Sequence, residues 1–166
     1  CPQPPKMHIM PLKLPHSFFQ TVVTATLIAT GATTITQTAQ AACYDWPLRE
    51  YRGAYAYDGD TIYVAVPGLP REIANMSVRV RGVDTPEIRG ECEDEKQLAQ
   101  KARDFARERL KSARSVTFCE PEWGRYGGRV VASVRVDGSP LDLELIYNGL
   151  ARPYDGKTKR QPWCQG

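Results

Sequence analysis

Three acidic side chains and two arginines carry the chemistry open to this sequence. Asp60 follows Asp58-Gly59. Asp84 and Glu87 lie in Arg79-Val80-Arg81-Gly82-Val83-Asp84-Thr85-Pro86-Glu87, and Arg129 follows the turn Gly124-Arg125-Tyr126-Gly127-Gly128. A turn explains Asp58-Gly59, but it asks for no carboxylate at Asp60. Each segment alone reads as an ordinary turn or strand end. Together they set three acids at strand ends beside two guanidinium groups. Oxygen ligands without His or Cys select Ca²⁺ or Mg²⁺ over zinc. Paired guanidinium groups grip the oxygens of a phosphate. Such a set suits hydrolysis of a phosphodiester.

Strands and turns must hold these residues. Tyr55 to Asp58 and Thr61 to Val66 read as strands joined by an Asp58-Gly59 hairpin turn. Pro67-Gly68-Leu69-Pro70 makes a second turn. Ser77 to Arg81 alternates with period two, valines on one face and arginines on the other. A helix is predicted over 93–112, with Leu98, Ala102, Phe105, Ala106 and Leu110 on one stripe, acids at its start and bases at its end. Val116 to Phe118 is a short strand, and Gly128 to Val136 a longer one ending at Asp137-Gly138. Ser139 is expected to cap a second helix, with Pro140 at its first position, Asp142 closing a box with Ser139, and Gly149 ending it. This order predicts a mainly β chain with helices, of α+β class. The expected form is an OB-fold, a five-stranded, partly open Greek-key barrel with two to three helices. A plain α+β sheet is the alternative.

Charge is unevenly placed along the 166 residues. Residues 1–41 hold both histidines, two lysines and no acid. They read as a secretory leader: Lys13 and His16 precede the apolar stretch Phe18 to Ala32, and Ala39-Gln40-Ala41 is a cleavage site. Met7 or Met10 is the expected start, which leaves residues 1–6 upstream of it. Six threonines between Thr21 and Thr34 argue against a membrane span. Residues 42–166 then form one domain with 20 basic and 19 acidic residues and no histidine. That excludes a Ser-His-Asp triad, a Cys-His dyad and a HExxH zinc site. Four cysteines remain, Cys43, Cys92, Cys119 and Cys164. In an exported chain they predict two disulfides, with three connectivities open.

The three charged segments resemble the staphylococcal nuclease (thermonuclease) family. The likeness rests on Asp58-Gly59-Asp60-Thr61, on Arg79 with Asp84-Thr85-Pro86-Glu87, and on Arg129 eight residues before Asp137-Gly138. Asn148-Gly149-Leu150-Ala151 is similar to the segment after that family's second helix. The similarity runs from about Tyr51 to Tyr154, so residues 42–166 resemble a thermonuclease-like OB-fold domain. The resemblance implies a Ca²⁺-dependent phosphodiesterase, an endonuclease on DNA and RNA that leaves 3′-phosphates. It implies Asp60, Asp84 and the Thr85 carbonyl as metal ligands, Glu87 acting on the attacking water, and Arg79 and Arg129 on the scissile phosphate. Tyr126, Tyr154 and Arg125 would contact nucleotide. An extra glycine, Gly127-Gly128, shifts Tyr126 by one position from the family pattern. The short stretch after Glu87 contains Cys92 and prunes that family's long loop. Cys164 would follow a segment running past the active-site rim, where Cys92 also sits. The expected pairs are therefore Cys92–Cys164 and Cys43–Cys119. A periplasmic or secreted monomer follows, without membrane contact after leader removal. A catalytically inactive OB-fold module that binds nucleic acid is the rival reading.

Overall fold

A computed structural model describes residues 41–158 and 162–164. The expected leader, 1–41, lies outside the described residues but for Ala41. Among the described residues, eight strands and three helices follow one another. They are β1 (Cys43–Tyr44), β2 (Thr61–Ala65), α1 (Arg71–Ala74), β3 (Asn75–Val80), β4 (Val83–Asp84), α2 (Glu93–Lys111), β5 (Val116–Trp123), β6 (Arg129–Val136), β7 (Ser139–Pro140), α3 (Leu141–Tyr147) and β8 (Arg152–Pro153). The main sheet runs β1-β5-β6-β3-β2, with β7 beside β6, and β4 pairs with β8. The α+β class and the OB-like order hold. The sheet has six strands rather than five and does not close into a barrel.

One parallel pair organises the site. β2 and β3 are an antiparallel hairpin, with Thr61 opposite Arg79 and Tyr63 opposite Ser77. β3 then lies parallel to β6, with Ser77 beside Arg129 and Arg79 beside Val131. Because alternate side chains point to opposite faces, Val78 and Val80 go inward and Arg79 outward, as the period-two pattern requires. The inner faces bury Ile62, Val64, Val78, Phe118, Val134 and Val136 in one core with Leu141 and Leu145 of α3 and with Ala102 and Leu110 of α2.

Helix α2 follows its expected bounds closely. Its buried stripe is Glu95, Ala99, Ala102, Ala106 and Leu110, while Leu98 and Phe105 pack at the margin. No helix among the described residues is long and apolar enough to cross a membrane.

Three local expectations change. Ser139 does not cap α3. It pairs with Val136 in the β6–β7 hairpin, Pro140 takes the cap position, and no capping box forms. The strand after α2 extends to Trp123, its register shifting between Cys119 and Glu122, where Glu120 takes a φ of 51°. Asp58-Gly59 is not a two-residue hairpin turn. Ala56 bridges Ile62 across a wider loop, and Gly59 is required by closeness, since a Cβ there would lie 2.8 Å from Thr85 and 2.9 Å from Ala102.

Asp137-Gly138 does form the tight turn, with both φ values positive. The Asp137 carboxylate accepts from the Arg114 and Ser115 amides at 2.8 and 3.0 Å and from Arg109 at 3.2 Å. The Ser115 and Arg114 amides, first, and Arg109 hold its carboxyl below the usual range. A depressed pKa stabilises the fold above the unfolded value and is lost as pH falls through the folded one. Asp137→Asn should therefore melt a few degrees below wild type at pH 7. The two should converge as the pH drops beneath the carboxylate range. Calorimetry across acid pH checks this, and a constant gap would refute it.

Candidate active site

Asp60 is the buried centre of the site. Its side chain is fully enclosed by the loop before β2 and by the Thr85 segment. One carboxylate oxygen accepts from the Thr85 amide at 3.0 Å and from the Thr85 hydroxyl at 2.8 Å. The other accepts from Arg79 and, at 3.3 Å, from the Thr61 hydroxyl. Arg79 reaches it because Thr61 and Arg79 are partners across the β2–β3 hairpin. The same guanidinium donates to Asp84 Oδ1 at 3.2 Å. Burial, first, and the Asp58 charge, second, push the Asp60 carboxyl up to about 7, against the Arg79 charge and the Thr85 hydrogen bonds. Burial thus disfavours the bare Asp60 carboxylate more than Arg79 and Thr85 favour it. Two enclosed carboxylates with hard oxygen donors fit a divalent cation of the Ca²⁺ or Mg²⁺ kind.

Asp84 is held from its other side by the end of the chain. β4 pairs with β8, setting Asp84 opposite Arg152. The Trp163 indole N–H donates to Asp84 Oδ2 at 3.4 Å. The Arg152 guanidinium lies 3.9 Å over the Trp163 ring and donates to the Pro162 carbonyl at 3.0 Å. Cys164, next in the chain, lies at disulfide distance from Cys92, and Cys43 likewise from Cys119, its register partner across β1 and β5. The first pair closes a separation of 72 residues and the second one of 76. Each is worth about 2–4 kcal/mol.

Glu87 stands exposed, directly after buried Pro86. Its backbone is fixed by a residue that motif reading missed. Glu95, buried in the first turn of α2, accepts from the Glu87 amide at 3.2 Å and the Glu91 amide at 2.9 Å. Gly90 leaves room for this carboxylate, because a Cβ there would lie 2.4 Å from the Glu95 carboxyl carbon and push it aside. The signal was available: Glu95 continues the apolar stripe of α2 at helical spacing from Ala99 and Ala102. Cys92, Glu95 and Cys164 also cluster, but their sulfurs are bonded to each other and offer no thiolate to a metal.

Arg129 shares the outer face of the sheet with Arg79, one two-residue step along the parallel strand. Ordinary strand spacing puts their Cα atoms roughly 8 Å apart. Tyr154 and Arg79 line a cleft of about 490 Å³ together with Arg81 and Lys157. Arg125 and Tyr126 sit on the exposed β5–β6 turn and do not line it. The structure thus joins Asp60, Arg79, Asp84 and Thr85 by direct contact. Tyr154 lines the cleft beside Arg79, Arg129 lies on the same face of the sheet as Arg79, and Glu87 is exposed two residues after Thr85.

The profile of the staphylococcal nuclease homologue family matches residues 77–163, or 87 of the 166 residues. The chain belongs to the staphylococcal nuclease family. No curated protein matches it. The family match covers Arg79, Asp84, Thr85, Glu87, Arg129 and Tyr154, and the Trp163 end as well. It begins after Asp60, which the fold returns to the matched region. Family membership supports a nuclease-type function in general.

Proposed function

We propose that this member of the staphylococcal nuclease family is a Ca²⁺-dependent phosphodiesterase, an endonuclease hydrolysing DNA and RNA to leave 3′-phosphates. One observation carries the reading: two enclosed carboxylates, Asp60 and Asp84, are bridged by Arg79, with Arg129 on the same face of the sheet. Asp60, Asp84 and the Thr85 carbonyl are the groups that would hold Ca²⁺. When bound, Ca²⁺ supplies positive charge that polarises the phosphate. Glu87 accepts the proton of the attacking water as oxygen bonds to phosphorus and the 5′-oxygen–phosphorus bond breaks. Arg79 and Arg129 donate to the phosphate oxygens, where negative charge grows in the transition state. Tyr154, in the cleft, contacts the nucleotide, with Tyr126 and Arg125 in reach of the strand beyond it. Two disulfides agree with an oxidising compartment, periplasmic or external, reached by way of the 1–41 leader. The working form is a monomer.

Few protein ligands make a weak site, near the ~10⁻⁴–10⁻³ M of extracellular calcium modules. Purified protein on denatured DNA and on RNA should cleave in millimolar Ca²⁺ and stop in excess chelator. End analysis should find 3′-phosphates. Full activity in chelator would overturn the metal assignment. Binding without cleavage would make the chain an inactive nucleic-acid module.

A further inference from the structure

A second cluster on the same face takes no part in the chemistry above. The Arg49 guanidinium lies 5.2 Å from the Tyr51 ring centroid and 5.3 Å from that of Tyr63. Arg52 lies 5.3 Å over the Tyr51 ring. The two rings meet edge to face at 5.2 Å. Arg49 Nε is buried with no hydrogen-bond acceptor among the described residues. Stacking on the rings therefore holds this guanidinium more than polar contact does. The outer parts stay open: Tyr51 is 43% exposed, Tyr57 45%, and Arg52 is exposed. Glu50 is the one acid within the run Arg49 to Arg52.

Register ties this cluster to the catalytic face. Tyr63 and Arg129 are both partners of Ser77, one on each side of it. They lie in one row across the sheet, about 10 Å apart by strand spacing. The Arg49 amide donates to the Tyr63 carbonyl at 2.9 Å, so the row continues past β2 to Arg49 and Tyr51. A phosphodiester held between Arg79 and Arg129 belongs to a polymer that must leave the cleft along some surface. Alternating guanidinium groups and open rings match that polymer, since bases stack on aromatic faces and phosphates meet arginines. A duplex keeps its bases stacked inside and offers none to Tyr51.

We propose that Arg49, Tyr51, Arg52 and Tyr63 form a subsite for single-stranded nucleic acid flanking the cleaved phosphate. A base stacks on Tyr51 and Arg52 meets a phosphate. This rests on the reading that Arg79 and Arg129 grip the scissile group. The variant Tyr51→Ala with Arg52→Gln tests it, beside Tyr51→Phe. Affinity is read by fluorescence anisotropy with a labelled single strand of about twelve nucleotides in chelator, which stops cleavage. Kinetics are then compared in Ca²⁺ on that strand and on a dinucleotide, whose one phosphodiester fills the cleavage position. The double variant should weaken the long strand about tenfold or more, in Kd and in KM. Turnover of the dinucleotide should hold, and Tyr51→Phe should bind as wild type does. Equal effects on both substrates, or none on either, would overturn the subsite. So would a fall in melting temperature with long-strand affinity intact, which marks a packing role. Binding that needs the cluster, from a protein that cleaves nothing, would keep the subsite and sink the nuclease reading.

Discussion

Arg129→Ala should lower kcat by about 10²–10³-fold, as loss of one preorganised oxyanion donor does. Arg125→Ala should instead raise KM and flatten the salt dependence, as a lost phosphate contact does. The contrast matters because Gly-Arg occurs twice here, at Gly124-Arg125 and Gly128-Arg129. Only the second pair is built into the sheet. Arg129 opens β6 beside Ser77, and its carbonyl accepts from the Gly124 amide at 2.9 Å. The Ser77 amide donates to the Gly128 carbonyl at 3.0 Å, which fixes the chain just before Arg129. Arg129 is half-buried, whereas Arg125 is exposed on the turn. A donor that stabilises a transition state must be in place before charge develops, so it belongs on a packed strand. Steady-state kinetics at several salt concentrations separates the two. The reverse pattern would move the proposed catalytic arginine to Arg125.

A loss of about 10²–10⁴-fold in kcat is expected for Glu87→Gln, with the fold kept, because the amide cannot take a proton from water. Glu87 is exposed, so the change empties no core. Glu95 supplies the control. It acts on Glu87 through the backbone, by the two amides it accepts, and is a positioning residue. Glu95→Gln should lower kcat less than Glu87→Gln and leave KM nearly unchanged, since it shifts the backbone that carries the base and leaves the base itself in place. If Glu87→Gln keeps the wild-type kcat, another group takes the water's proton.

Local periodicity and turn chemistry made part of this protein legible. The valine–arginine alternation over Ser77 to Arg81 set which side chains face outward, and the structure keeps that division. Helix α2 lies at 93–111 against an expected 93–112 because its apolar spacing and end charges agree. Asp137-Gly138 reads as a tight turn because both residues tolerate positive φ. The order of acids and arginines indicated phosphodiester chemistry before any fold was known.

Tertiary structure decided the rest, because those features depend on residues far apart in sequence. No local pattern says that β3 lies parallel to β6, yet that pairing sets Arg79 and Arg129 on one face. Ser139 has the composition of a cap, but its pairing with Val136 outweighs that preference. Asp58-Gly59 reads as a hairpin dipeptide, while packing against Thr85 and Ala102 gives a wider loop. Trp163 meets Asp84 across 79 residues only because Cys164 is tied to Cys92 and β8 lies on β4. Residues adjacent in sequence constrain one another through backbone sterics. Contacts such as these form only when burial of the shared core repays the entropy of closing the long loops between them.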